Sequence, residues 1–379
     1  MTNSLDIKKY DYIEFYVGSA KTTAYWFAKS LGFNIEAYMG PETGVRDRSS
    51  YYLTQNNIKM VITSSMHPAS HDIISFLAQH GEGVKRWSLE VGNVRKAFEY
   101  AHEKGAIPIK FPEVYKDENG TVEEAAIRVY DDTEIMFINR DNYKGLFKPG
   151  YQKPPHKRDL TLRETPNLEF IDHIVGNVRE NEMDRWASYL NNILDTETFI
   201  DFKPGDIATK YSALLSKVVR TKDNILKNPI NEPYGGQKKS QIEEFIESYH
   251  GTGVQHIAIA TKDIISTISA LRKNGVEFLE TPKAYYDNLR KRNDDREDKL
   301  KISENIDDLE KLNILCDLEG EGYLLQLFTK PISDRPTFFF EIVQRRMGAQ
   351  GFGKGNFQAL FDSIEQDQEK RGNLTATKR

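Results

Sequence analysis

Cysteine is nearly absent from this 379-residue chain, since Cys316 is the only one. A single cysteine excludes an intramolecular disulfide framework and fits a reducing compartment, so we expect a cytoplasmic protein. Long apolar runs are also missing, because no stretch approaches the ~20 residues that span a bilayer. The first residues lack the hydrophobic core of a secretory signal. We therefore expect neither a membrane protein nor a secreted disulfide scaffold.

A strong charge of one sign is missing too. The chain has 52 basic and 57 acidic residues, which gives a net charge of −5. So mild a charge favours binding neither to nucleic acid nor to an anionic membrane. Hydrophobic residues make up 39% of the chain, which is enough to build cores. The length suits about two domains of ~100–200 residues each.

A weak internal repeat organises the chain. Each of its four copies is a short apolar strand, a turn and an amphipathic helix. The helices are predicted over about residues 21–31, 94–104, 182–194 and 263–273. Asn93 and Asp263 precede two of them as N-caps, and glycine follows three of them at the C′ position. Further apolar strands follow each helix, so each copy is a β-α-β-β-β module.

Two such modules can curl into one open, mostly antiparallel, barrel-like sheet with a concave interior. Four modules therefore predict an α+β fold of two half-barrel domains, over residues 1–150 and 166–379. The proline-containing stretch of residues 144–165 is expected to link them. The highly charged residues 285–305 are expected to form a solvated helix or loop.

Three polar residues lie at the centres of predicted buried strands: His173, His256 and Glu341. Burying such a group is costly unless a partner satisfies it. Each residue alone could be a hydrogen-bonded core residue. Two imidazoles and a carboxylate on repeat-related strands instead indicate a facial triad, which holds Fe(II) on one side and leaves positions open for substrate and O2.

The two halves of the chain differ at these positions. Aligning the repeat copies places Phe15 opposite His173 and Arg86 opposite His256. Only the second half therefore carries the expected metal ligands. We expect the first half to have kept the scaffold without the chemistry.

Several strings of the second half resemble the 4-hydroxyphenylpyruvate dioxygenase family. They are GVQHIA at 253–258, GYLLQLFTKP at 322–331, RPTFFFE at 335–341, GFGKGNF at 351–357 and RGNL at 371–374. The resemblance is dense from about residue 170 to residue 374 and looser from about residue 11. It implies the vicinal-oxygen-chelate (glyoxalase-like) fold, in agreement with the repeat.

The resemblance also implies a reaction. 4-Hydroxyphenylpyruvate and O2 would give homogentisate and CO2, a step of tyrosine breakdown, with Fe(II) as the cofactor. An α-keto acid can chelate iron through its carboxylate and keto oxygens, and three protein ligands would then leave one position for O2. Proteins of this family are typically homodimers or homotetramers, so self-association is expected.

The resemblance assigns five polar residues to the catalytic machinery: Gln255, Gln326, Ser216, Asn231 and Gln241. The first two would line the active site and approach the substrate, and the other three would reach its polar end. From the sequence alone, Gln255 and Gln326 could instead be glutamines at the protein surface or at the edge of a strand ladder. Asn231 would be a turn residue between two prolines.

Phe328, Phe352 and Phe357 are candidates to sandwich the substrate ring, and Asn356 is assigned to substrate binding with them. Aromatic pairs add only ~0.5–1.5 kcal/mol beyond area burial, so they position a ring more than they drive binding. Plain core packing is the alternative for each phenylalanine. The helix expected at about residues 357–368 follows three glycines, and it is either a lid over the site or a statically docked helix.

Two other functions stay open. 4-Hydroxymandelate synthase resembles the dioxygenase along its length and shares the triad, but it oxidises the benzylic carbon. The bulk of Phe328 near the iron favours ring hydroxylation instead. A metal-free binding or resistance protein on the same fold is the third candidate, and the intact triad argues against it.

Overall fold

The computed structural model describes residues 4–155, 162, 164–203 and 212–375. Two eight-stranded sheets, one from each half of the chain, form its framework. The strands of the first sheet are β1 (Ile7–Tyr16), β2 (Asn34–Met39), β3 (Arg48–Gln55), β4 (Ile58–Ser65), β5 (Gly83–Val91), β6 (Pro108–Asp117), β7 (Gly120–Val129) and β8 (Thr133–Asn139). Those of the second are β9 (Phe170–Asn177), β10 (Glu197–Phe202), β11 (Ser212–Arg220), β12 (Lys227–Gly236), β13 (Gly253–Ala260), β14 (Leu315–Glu319), β15 (Gly322–Phe328) and β16 (Phe339–Arg346).

The helices cover the outer faces of the sheets and the ends of the modules. They are α1 (Ala20–Leu31), α2 (His71–His80), α3 (Val94–Glu103), α4 (Met183–Leu194), α5 (Gln241–Tyr249), α6 (Ile264–Lys273), α7 (Lys283–Asp294), α8 (Ile306–Leu312) and α9 (Phe357–Lys370). Within the described ranges, no helix combines the length and the apolar character needed to cross a membrane.

The strand orders confirm the four β-α-β-β-β modules. They are β2-β3-β4-β1-β5-β8-β7-β6 in the first sheet and β10-β11-β12-β9-β13-β16-β15-β14 in the second. The first strand of each module pairs in parallel with its last strand, and the other pairings are antiparallel. Two modules meet through their first strands to make each curled sheet. The predicted α+β fold of two barrel-like domains is therefore confirmed.

The local signals for the helices are also confirmed. The Asn93 side chain accepts a hydrogen bond from the backbone N–H of Lys96, and Asp263 accepts one from Ser266. Gly32 ends α1 in the left-handed conformation at φ 82°, which glycine adopts without strain. The prediction of a solvated helix or loop at residues 285–305 was only partly right. The helix α7 lies there, but one of its faces buries Tyr286 and Leu289.

The predicted linker begins inside the first half-barrel, which corrects its assigned start. The ring of Phe147 stacks on Tyr52 at 4.1 Å between centroids and meets Tyr12 edge-on. Tyr151 is buried in the same cluster. Phe147 and Tyr151 thus pack into the concave face of the first sheet. Residues 156–161 and 163 of the predicted linker lie outside the described residues.

The alignment of Phe15 with His173 is wrong. Phe15 packs on the outer face of the first sheet, against Phe27 of α1 and Phe338 of the second half. Successive side chains of a strand alternate between faces, so an offset of an odd number of residues exchanges them. Arg86 lies on the inner face as expected, where it pairs with Glu14 at 3.2 Å and with Glu134 at 3.0 Å.

The inner face of the first sheet also buries Glu124 between Lys110 and Lys148, at 2.8 and 3.0 Å. Burial raises the pKa of Glu124, but the two ammonium groups outweigh it and lower the pKa to about 2. A depressed pKa stabilises the fold above the ordinary value of 4.5, and the contribution is lost as the pH falls through the folded pKa.

We therefore expect Glu124→Gln to lower the free energy of unfolding by about 3 kcal/mol at pH 7, since each pKa unit corresponds to ~1.4 kcal/mol. The difference from the wild type should shrink progressively between pH 4.5 and pH 2. Urea unfolding at several pH values measures it. Glu123→Gln is the matched control, because Glu123 is the preceding residue of β7 and lies on the opposite face. A difference that does not change with pH would contradict the ion-pair account.

Candidate metal centre and substrate cavity

The three predicted metal ligands come from three neighbouring strands of the second sheet. His173 lies on β9, His256 on β13 and Glu341 on β16, and these strands are adjacent in the order β9-β13-β16. Ala258 pairs with His173 on one side and with Glu341 on the other. His256 is two residues before Ala258, so it shares a face with both neighbours. The topology therefore brings the three side chains together.

Their donor atoms converge on one point. Nε2 of His173 lies 3.1 Å from Oε2 of Glu341, and Nε2 of His256 lies 3.4 Å from the same oxygen. The three potential ligand atoms all lie within 4.8 Å of one another, and all three residues are buried. Two imidazole nitrogens and one carboxylate oxygen in this arrangement fit a divalent transition-metal ion with open positions.

The electrostatics of the cluster favour a charged carboxylate. Burial raises the pKa of Glu341, but the two imidazoles outweigh it and lower that pKa to about 2. Burial lowers the pKa of His256. Burial also acts on His173, where the carboxylates of Glu341 and Asp172 outweigh it and raise the pKa. The lowered pKa keeps the Glu341 carboxylate ionised, which is the form in which a carboxylate binds a metal.

A β-bulge beside each histidine sets the orientation of its ring. Asp172 and Gln255 are the extra residues where the pairing of β9 with β13 shifts register. Each bulged residue reaches Nδ1 of the histidine that follows it: Asp172 Oδ1 at 2.8 Å and Gln255 Oε1 at 3.0 Å. An Nδ1–H that donates to these oxygens leaves Nε2 with a free lone pair for the metal.

Asp172 is itself fixed by two cations. Arg345 donates to both of its carboxylate oxygens, at 2.9 and 2.8 Å, and Lys227 lies 3.3 Å away. Arg345 also donates to the carbonyl of Gly351 at 2.6 Å. This arginine therefore connects Asp172, the partner of His173, to the glycine-rich turn that carries Phe352.

A cavity lies beside the triad. Its wall includes seven residues that the sequence had proposed for substrate contact, together with further apolar residues. The predicted ones are Ser216, Asn231, Gln241, Gln255, Gln326, Phe328 and Phe352; the others include Val175, Phe202, Leu214, Val218, Pro229, Phe339 and Phe361. The cavity is mostly apolar, with a few converging amide and hydroxyl groups, as is typical of small-molecule sites.

Three of the polar residues come from elements other than the three triad strands. Ser216 and Asn231 are directly paired across β11 and β12. Gln241 is the first residue of α5, after the N-cap Ser240. Asn231 is therefore a strand residue and not the turn residue that its flanking prolines had suggested. The pairing places an amide and a hydroxyl side by side.

Comparison with known proteins supports the same assignment. Residues 170–299 match the Glyoxalase/Bleomycin resistance protein/Dioxygenase superfamily. A 4-hydroxyphenylpyruvate dioxygenase from Yarrowia lipolytica is 43% identical over an alignment of 380 positions, which covers 99% of this chain and 96% of the relative. One from Caenorhabditis briggsae is 44% identical and covers 96% of this chain and 93% of the relative.

The chain belongs to the 4-hydroxyphenylpyruvate dioxygenase family. Among solved structures, a triple mutant of 4-hydroxymandelate synthase from Streptomyces coelicolor has a TM-score of 0.82 at 26% identity. It covers 97% of this chain and 100% of its own. The sequence of this chain is thus much more similar to the dioxygenases than to the synthase.

The glycine-rich string of the family contributes differently from the prediction. Phe352 lines the cavity, and its ring lies edge-on to His173 at 5.0 Å between centroids. Asn356 lies behind Gln326, outside the cavity wall, where its amide oxygen accepts from Gln326 Nε2 at 3.2 Å. Phe357 begins α9, and its side chain falls outside the described part of the structure.

Sequence reasoning missed three aromatic residues of the cavity: Phe202, Phe339 and Phe361. Phe339 stacks on His256 at 4.8 Å with an angle of 16° between the rings, and Phe361 of α9 closes the wall. Strand alternation could have found Phe339, since it lies two residues before Glu341 and must share its face. Phe361 gave no such signal, because its position depends on where α9 docks.

Proposed function

We propose that this protein converts 4-hydroxyphenylpyruvate and O2 to homogentisate and CO2, with Fe(II) held by His173, His256 and Glu341. The observation that supports this most directly is the convergence of their three donor atoms within 4.8 Å at the wall of a cavity. The names of the relatives indicate the substrate. The two imidazoles and one carboxylate indicate the class of metal ion.

Iron would supply the oxygen chemistry, which a redox-silent ion such as Zn²⁺ cannot. The protein's own residues bind, orient and exclude water. Gln255 and Gln326 would approach the substrate near the metal, and Ser216, Asn231 and Gln241 would hold its polar end. All five are at the cavity wall.

The aromatic residues would position the ring of the substrate. Phe328 and Phe352 face the cavity close to the two histidines, at 6.0 Å from His256 and 5.0 Å from His173 between ring centroids. A ring held between them would be presented to the metal with its face covered. Phe361 on α9 also lines the cavity and would help to exclude water from a bound substrate.

Two alternatives remain distinguishable by product. A 4-hydroxymandelate synthase would hydroxylate the benzylic carbon, and the structural similarity at 26% identity keeps it as a second candidate. The bulky Phe328 at the cavity wall favours ring hydroxylation. A metal-free binding protein is disfavoured, because burying three ionisable groups without a metal is costly.

The test is anaerobic loading with Fe(II), addition of 4-hydroxyphenylpyruvate and O2, and identification of the product by chromatography. We expect homogentisate in a one-to-one ratio with O2 consumed. Hydroxymandelate would favour the second candidate. No product despite bound iron would overturn the proposal.

The domain roles and the assembly belong to the same proposal. Residues 1–150 would form a scaffold domain and residues 166–379 the catalytic one, in keeping with the metal ligands all lying on the second sheet. We propose a homodimer or homotetramer in the cytoplasm, for which the single buried cysteine, Cys316, is suited. Size-exclusion chromatography with light scattering measures the assembly.

A further inference from the structure

The amide of Gln326 is held by a side chain outside the cavity. Gln326 lies on β15, lines the cavity and is only 1% exposed. Its Nε2 donates to the amide oxygen of Asn356 at 3.2 Å. One amide N–H is therefore committed to Asn356, and the rest of the amide is left for a ligand.

Asn356 is placed where asparagine usually caps a helix, yet it does not do so. It is the N-cap of α9, but its side chain makes no capping hydrogen bond. Instead its amide nitrogen donates to the hydroxyl of Tyr285 at 2.6 Å and to the carbonyl of Cys316 at 3.1 Å. Its oxygen also accepts from the backbone N–H of Asp317 at 3.3 Å. The side chain is thus directed inward, towards the cavity wall.

Tyr285 of α7 completes the network. Its hydroxyl accepts from the backbone N–H of Cys316 at 2.7 Å and donates to the carbonyl of the same residue at 2.9 Å. With the hydrogen bond from Asn356, the single donor and both acceptor sites of the hydroxyl are used. A fully satisfied network of this kind has one arrangement, because any rotation of the Asn356 amide would set like groups against each other.

The glycine-rich turn makes the contact possible. Gly353 has φ 79°, and a Cβ at this position would lie 2.3 Å from Nε2 of Gln326. Only glycine allows the backbone to come so close in that conformation. The turn therefore lets the backbone lie close to Gln326 while Asn356 contacts its amide.

We propose that Tyr285 and Asn356 are positioning residues that fix the side-chain amide of Gln326 towards the substrate. This rests on the proposed function, in which Gln326 contacts the substrate. Tyr285 acts only through Asn356 and Gln326, so its effect must disappear when Gln326 is absent.

The test compares Tyr285→Phe with Tyr286→Phe. The two tyrosines are consecutive in α7, and the hydroxyl of Tyr286 donates to the backbone carbonyl of Ile314 at 3.2 Å. Each variant loses one hydroxyl. We expect kcat/KM of Tyr285→Phe to fall by about 10- to 100-fold with more O2 consumed per homogentisate formed, since small misplacements cost that much. Tyr286→Phe should stay within about twofold of wild type.

A double-mutant cycle with Gln326→Ala separates positioning from stability. In the Gln326→Ala background, Tyr285→Phe should leave kcat/KM unchanged within about twofold, while its effect on the thermal midpoint persists. Equal further losses of kcat/KM in both backgrounds would overturn the proposal, because they indicate a general structural role.

Crystal structures of the two variants make the result independent of the reaction. We expect the Gln326 amide to rotate in Tyr285→Phe and to stay in place in Tyr286→Phe. An unmoved amide in both would overturn the positioning role. If the wild type forms no homogentisate, the proposed function fails, and the crystal structures alone decide whether Tyr285 holds Gln326.

Discussion

Replacing Glu341 by alanine is expected to lower kcat/KM by at least about three orders of magnitude while leaving the fold intact. Glu341 supplies the carboxylate oxygen that faces both imidazoles, at 3.1 and 3.4 Å. A metal anchored by three ligands loses its anionic one, and a loss of ~4 kcal/mol in transition-state stabilisation corresponds to that factor.

Metal content and activity should be measured together. Anaerobic titration followed by elemental analysis should show about one iron per wild-type chain and much less in Glu341→Ala, with circular dichroism unchanged. Glu134→Ala is the matched control, because Glu134 is buried on the first sheet and pairs with Arg86. It should change stability but not iron content. Equal activity of Glu341→Ala and wild type would refute the metal centre.

Replacing Asp172 by asparagine is expected to weaken iron binding by about 10- to 100-fold, since partners of metal-bound histidines have effects of this size. The variant keeps the shape of the side chain, but it loses the charge that holds His173, Arg345 and Lys227. Stability should fall as well, by about 3 kcal/mol, because two largely buried cations lose their partner.

Competition with a metal chelator measures the affinity, and thermal unfolding measures the stability. Asp131→Asn is the matched control, since Asp131 also forms a two-point contact with an arginine, Arg179, but at the surface. It should leave iron affinity unchanged. An Asp172→Asn protein with wild-type affinity would show that the charge of Asp172 is not needed to hold His173 in place.

Features set by neighbouring residues could be predicted from the sequence. The helix ends at Asn93 and Asp263 follow from side chains that cap their own backbone. The convergence of His173 and His256 could be predicted because each interrupts an apolar strand, where a buried polar group needs a partner. Both kinds of signal lie within a few residues of the feature they predict.

Features that depend on register or distant contacts could not be predicted. The bulges at Asp172 and Gln255 each add one residue to a strand, which alternation alone does not show. Phe15 was misplaced for a related reason: the register puts Tyr12 opposite His173, and an error of three residues exchanges the faces of a strand. The contact of Arg345 with Asp172 joins residues 173 positions apart, and no local pattern indicates it.

The aromatic residues that fill the first half-barrel prevent it from taking over the role of the second. Phe147 and Tyr151 occupy the concavity that, in the other half, is left for a small molecule. Grafting two histidines and a glutamate onto β1, β5 and β8 would therefore create ligands facing a wall of rings. A second substrate cavity would first require Phe147 and Tyr151 to leave the concave face.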